Sequence, residues 1–377
     1  MRAPAPRRLT VLAALAVAAT ALQVVTTAAP AQAAGCQAEA MLGTCDDVTP
    51  PDTTLLGVRP APTPAGYVRQ STVNVDFAGV PNDASDTGQI AFECQLYNTA
   101  TPPAEWQTCV SGQAFSGLAN TAATPYTFRV RAVDATDAAV TCPVLPCLTP
   151  EEPDVDPTPA TTTIRVDTTV PNTFITQTPQ DDIRPDWPVT LTRSPQLTLN
   201  SNEAAAGFAC TLNDKPLACA VGSMTLAGLK SGPQKFTAQA VDAAANADPT
   251  PSVTKFFVPA NIKASKTSGW KRVHKAGAFD GDLVRAAKVG ATLRIGGQHN
   301  VRELRLIAPG GPKLGRIEVR VGKSQWYSVN LSGKATGQRT YVVRDQYSPP
   351  QSGAILIRVL SLPRGGSVQL DALVARR

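Results

Sequence analysis

The chain has 377 residues, 43% of them hydrophobic, enough for packed cores and too many for a disordered tail. Aromatics are 5%, while 33 prolines, 27 glycines and abundant Thr and Val suit short strands and turns rather than long helices. The net charge of +6 hides a strong polarity, because residues 260–377 carry 21 Lys and Arg against 6 Asp and Glu, whereas residues 34–259 are acidic.

At the amino end Arg2, Arg7 and Arg8 precede an apolar run from Leu9 to Val25, then small residues at Ala31 and Ala33. This order reads as a secretory signal peptide over 1–33. A membrane anchor is the alternative, and the Ala33-Ala34-Gly35-Cys36 stretch leaves lipidation of Cys36 open. An exported chain with an even cysteine count reads as disulfide-bonded. The eight cysteines fall into neighbours: Cys36 with Cys45 in a segment over 34–50, Cys94 with Cys109, Cys142 with Cys147, and Cys210 with Cys219. Other pairings remain possible on sequence alone. Metal binding is disfavoured, because His274 and His299 are the only histidines and there is no Cys-x-x-Cys.

Residues 51–169 and 170–259 repeat one another. FECQL at 92–96 answers FACTL at 208–212, Gly117-Leu118 answers Gly228-Leu229, Phe128 answers Phe236, and Ala132-Val133-Asp134 answers Ala240-Val241-Asp242. A unit of about a hundred residues is too long for a solenoid repeat. Alternation such as Phe128, Val130, Ala132 against Arg129, Arg131 predicts strands with one buried face, as in two packed sheets. The first copy departs at DATDAAVTCPVLPCLTPEEPDVDPTP, where Glu151, Glu152, Asp154 and Asp156 raise the question of calcium; a solvated loop pinned by Cys142 and Cys147 is the simpler reading. Together with the Asp167 to Pro171 junction, these motifs resemble the bacterial immunoglobulin-like domains found in tandem in exported actinobacterial proteins. The resemblance implies a sandwich per copy. Cysteine pairs closing the hairpins would then act as staples, each stabilising by about 2 to 4 kcal/mol.

The junction VPANIKASKTSG is small and polar, which predicts a linker and separate folding of the two sides. Beyond it, ATLRI at 291–295, Arg316 to Val321, WYSVNL, TYVV, AILIRV at 354–359 and SVQLDALVA at 367–375 predict roughly seven to nine strands, a count that suits a jelly roll. Gly269-Trp270, Gly290-Ala291-Thr292, APGGPKLGRIEVRVG and VQLDALVARR resemble a β-sandwich module that closes many exported actinobacterial proteins. Its relatives are suspected of binding glycans or the envelope. This chain has Arg305 and Leu306 where that module carries an aromatic, and Gly322-Lys323-Ser324 where it has an Asp-Gly hairpin.

The expected fold is therefore all-β: two tandem immunoglobulin-like β-sandwiches followed by a basic jelly-roll-like β-sandwich over 265–377. The expected function is a secreted, non-enzymatic, envelope-associated protein, attached by its basic module to an anionic cell-wall polymer. Arg316, Arg320 and Lys323 are the candidate cations. Trp326 and Tyr327, adjacent on one strand, must face opposite sides, so one of them is available to stack on a sugar. The rival readings are neutral-glycan recognition by stacking and an adhesin-like role toward another protein. The reading includes no cofactor, no specific nucleic-acid partner and no integral membrane association.

Overall fold

The computed structural model describes residues 50–82, 90–121, 124–134, 154–179, 185, 187–203, 206–334 and 336–377. The signal peptide, Cys36, Cys45, Cys142, Cys147, Glu151 and Glu152 lie outside the described residues. The described residues are all-β, built as three successive sandwiches. Among the described residues no helix is long and apolar enough to cross a membrane.

In the first sandwich, Asp52–Arg59, Val73–Val80 and Ala114–Phe115 form one sheet. It faces a second sheet ordered Tyr67–Val68, Ala160–Val166, Tyr126–Asp134, Ala91–Tyr97, Gln107–Cys109. Alternation works as expected: Phe128, Val130 and Ala132 are buried while Arg129 and Arg131 sit on the outer face. Phe77 packs edge-on against Phe92 at 4.8 Å and lies 6.1 Å from Phe128, tying the two sheets together. Cys94 and Cys109 are bonded across adjacent strands.

The second sandwich repeats the first down to its hydrogen bonds. Thr53 Oγ1 accepts from the Ala132 amide at 2.7 Å, and Thr173 Oγ1 accepts from the Ala240 amide at 2.8 Å. Asp156 Oδ1 accepts from the amide and hydroxyl of Thr158, as Asp248 Oδ1 does from Thr250. Asp156, one of the acids considered for calcium, is thus part of a turn shared by both copies. Gly117 and Gly228 both have φ above +60°, a conformation that glycine adopts without strain, and each delivers the following leucine into its core. Cys210 and Cys219 are bonded.

The third sandwich pairs a five-stranded sheet with a four-stranded one, and a three-stranded sheet closes the end. The five-stranded sheet runs Ala264–Ser268, Thr292–Val301, Gln351–Ser361, Arg316–Val321, Tyr327–Asn330. The four-stranded sheet runs Ala260–Asn261, Ala372–Arg376, Glu303–Gly310, Gly337–Arg344. The stretch that reads as a linker is built into both: Asn261 pairs with Ala372, Ile262 is fully buried, and Lys266 pairs with Arg294.

One core cluster crosses from the second sandwich to the third. Val189, Phe256, Phe257 and Val258 pack with Phe279, Ile307, Ala372 and Val374. The Glu303–Gly310 strand is consequently covered on both faces, which is why its sequence does not alternate. Arg305 is fully buried there with Glu303, which also pairs with Arg376 at 3.4 Å, and Leu306 is wholly within the core. Arg193 grips the neighbouring turn through Asp280 at 2.6 Å and lies 4.8 Å from the Phe279 ring.

Candidate ligand-binding face

The basic candidates lie on the outer face of the five-stranded sheet. Along Arg316–Val321 the apolar residues Ile317, Val319 and Val321 point into the core, so Arg316, Glu318 and Arg320 point out. Register sets Lys266, Arg294, Leu356 and Arg320 side by side across four strands. The next row holds Ser268, Thr292, Arg358, Glu318 and Ser328. With strands about 4.8 Å apart, these side chains form a band in which Lys266, Arg294, Arg320 and Arg358 are interspersed with Leu356, Glu318 and hydroxyl side chains.

Trp326 lies over this band. Its ring centroid is 4.6 Å from the Arg320 guanidinium and 4.5 Å from that of Arg358. Arg358 is bound by Glu318 at 2.6 Å, whereas Arg320 has no carboxylate partner among the described residues and its Nε finds no acceptor. The arrangement holds two long side chains in fixed positions, so less rotamer entropy would be lost on docking an anion there. A planar guanidinium donates two parallel hydrogen bonds to a carboxylate or phosphate. Beside Trp326, a shallow groove of about 530 Å³ is lined by Lys266, Thr292, Arg294, Leu356 and Arg358.

The structure thus brings Arg320 and Trp326 together, with Arg316 on the same face. Lys323 is exposed in the Gly322–Ser324 turn at the end of the strand. An added Cβ at Gly322 would meet Ser352 O at 2.1 Å, so this turn is held against the neighbouring strand and needs glycine. Tyr327 points the other way, packs on the core and meets Tyr347 edge-on at 5.7 Å. Lys266, Arg294 and Arg358 complete the face without having been singled out from sequence. The alternation of ATLRI and AILIRV places Arg294 and Arg358 outward, but only the strand order brings them beside Trp326.

Two carboxylate groupings lie elsewhere. Asp167, Glu203 and Asp242, where the first two sandwiches meet, hold ligand atoms within 4.8 Å of one another. Burial, with Asp242 and Asp167 nearby, raises the Glu203 pKa. Asp371 is almost wholly buried, and its Oδ2 accepts from the Phe279 amide at 2.8 Å and from Gln338. Burial pushes its pKa up to about 6, the amide bonds oppose that, and Asp282 and Asp280 add to it.

No protein-family model and no curated protein sequence matches the chain. Solved structures align with it at low similarity. A β-1,3-glucan-binding CBM6 module from Bacillus halodurans is 16% identical, spans 30% of this chain and 90% of its own, and has a TM-score of 0.24. Fibronectin(III)-like modules of Clostridium thermocellum CbhA are 14% identical over 55% of this chain and 93% of theirs, with a TM-score of 0.28. The FN1–FN3 domains of chicken CNTN1 are 11% identical over 87% and 99%, at 0.19.

Proposed function

We propose that this is an exported, envelope-associated binding protein in which two disulfide-stapled sandwiches, related to the actinobacterial immunoglobulin-like repeats that their motifs resemble, carry a basic sandwich that attaches to an anionic glycan or cell-wall polymer. The two disulfides fit an oxidising compartment. The observation that carries the reading is the outer face of the five-stranded sheet. Lys266, Arg294, Arg316 and Arg320 share it with Trp326, and Glu318 is the carboxylate that holds Arg358.

Stacking on a neutral sugar is less well supported. Tyr327 is turned into the core, and Trp326 already lies against two guanidinium groups. Retention of the whole protein on immobilised polyanion tests the choice. It is expected to be firm near 0.01 M salt and weak near 0.15 M, as the screening length drops from roughly 30 Å to about 8 Å. The triple variant Arg316→Glu, Arg320→Glu, Lys323→Glu should sharply weaken retention, and Trp326→Ala should weaken it less. Salt-tolerant binding competed by neutral oligosaccharide would instead establish stacking. Absence of binding to either class at low salt would remove the attachment role.

A further inference from the structure

A second face of the molecule repeats the chemistry at Trp326. In the first sandwich Trp106 lies across Arg131 at 4.2 Å and Arg129 at 5.0 Å, measured from guanidinium to ring centroid. Arg131 is bound by Glu93 on the adjacent strand at 2.6 Å, while Arg129 has no carboxylate partner among the described residues. The parallel is one of construction as well as composition. Each tryptophan immediately precedes an edge strand, Gln107–Cys109 or Tyr327–Asn330, and folds back over two arginines on inner strands. In each set a neighbouring-strand glutamate takes up one arginine and leaves the other.

The Trp106 loop is braced from below. Gln95, 4% exposed, accepts from Arg129 through Oε1 and donates through Nε2 to the carbonyls of Pro103 at 2.9 Å and Glu105 at 3.2 Å. The Cys94–Cys109 bond closes the same hairpin, so the staple positions the loop that carries the indole.

The repeat supplies an internal control. The second sandwich has a corresponding hairpin, a corresponding disulfide and the same pairing register, yet none of this set. Ala209 pairs with Gln239 where Glu93 pairs with Arg131, and Thr211 pairs with Thr237 where Gln95 pairs with Arg129. Its shorter hairpin, FACTLNDKPLAC, has no tryptophan. The fold therefore does not require the constellation. Its presence in the first copy answers to something outside the core.

We infer that the Trp106–Arg129–Arg131 face is a second site for a carboxylate-bearing glycan, a member of the anionic class proposed for the Trp326 face, and that the protein holds one polymer, or two neighbouring ones, through its first and third sandwiches. This rests on the function proposed for the Trp326 face. Two linked sites turn the second contact into an intramolecular event, which raises retention on a polymer without any new contact.

Calorimetric titration of the full mature protein with tetragalacturonate, and its retention on immobilised polygalacturonate, test both levels. Two equivalents of tetramer should bind per chain. Trp106→Ala or Arg129→Glu should leave one, Trp326→Ala or Arg320→Glu should leave one, and a variant combining both sides should bind none. On the immobilised polymer each single-site variant should lose on the order of 10²-fold in apparent affinity. Arg129→Glu keeps the indole, so a retained Cys94–Cys109 bond and an unchanged melt show that its loss of binding is not a loss of fold. One equivalent, lost with Arg320→Glu and indifferent to Arg129→Glu, overturns the second site and leaves the proposed function standing. No binding of galacturonate to the unaltered protein overturns the second site, and no retention on any immobilised polyanion at low salt overturns the proposed function with it.

Discussion

The two junctions of this chain are built on opposite principles. Between the first and second sandwiches the contacts seen among the described residues are polar: Arg69 donates to the carbonyl of Ala245, Asn246 donates to that of Asp167, and three carboxylates crowd the same spot. Between the second and third, two sheets share one apolar cluster, and the connecting residues are themselves strands of the third sandwich. Local sequence character conveys none of this, since both connectors look like ordinary polar spacers. What decides the junction is whether the sheet on the far side has a second apolar face. Glu303–Gly310 and Ala372–Arg376 do, through Ile307, Ala372 and Val374.

The sharpest way to break the contrast is Ile307→Asp. Ile307 is fully buried at the seam, and an unpaired carboxylate there should cost several kcal/mol, well beyond the usual point-mutation range. In scanning calorimetry the unaltered second and third sandwiches should melt as one unit with the first melting apart. The variant should show three transitions. A wild-type protein that already shows three would mean that the seam contributes little to cohesion.

A smaller, pH-dependent effect comes from Asp371, which holds the Phe279 turn from inside the third sandwich while Arg193 holds it from the second. Its pKa rises on folding from 3.8 to about 6, so the folded form takes up the proton more readily than the unfolded chain. The stabilisation is present at low pH and lost as the pH climbs through about 6. Melting of the fused pair should therefore fall as the pH rises from 3.8 to about 6, and Asp371→Asn should flatten that dependence. An equal slope in the variant would assign the titration to another group.

The smallest effect belongs to the polar junction. Asn246→Ala removes a bond to the Asp167 carbonyl, worth about 1 kcal/mol, and one to the Asp242 carboxylate, worth somewhat more. It should shift the melt of the fused pair by a few degrees and leave the first sandwich untouched. A large shift in the first transition would show that the two amino-terminal sandwiches are coupled after all.

Part of this architecture is legible in the sequence, and part is not. Alternation located Arg316–Val321 with its outward arginines, and the repeat foretold both described disulfides together with Phe128 and Phe236 as core residues. Adjacency alone showed that Trp326 and Tyr327 must part company. The strand from Glu303 escaped because burial on both faces erases alternation, and Arg305, the apparent oddity in it, is the buried partner of Glu303. Arg358 and Trp326 are distant along the chain and meet only because the Gln351–Ser361 strand inserts beside Arg316–Val321. Strand order is a property of the whole sheet, and no local pattern encodes it.

The pairing of Ala260–Asn261 with Ala372–Leu373 has a consequence for how the molecule comes into being. The first and last strands of the third sandwich are neighbours, so this sheet cannot close until Ala372–Leu373 has emerged, and a closure of such long range is slow. A chain delivered amino end first completes its first two sandwiches while Phe257 and Val258 still lack Ile307 and Val374 as a cover. For that interval the second sandwich carries a bare greasy flank. The arrival of the Ala372–Arg376 strand buries it and completes the sheet behind the basic sandwich's candidate face in the same step.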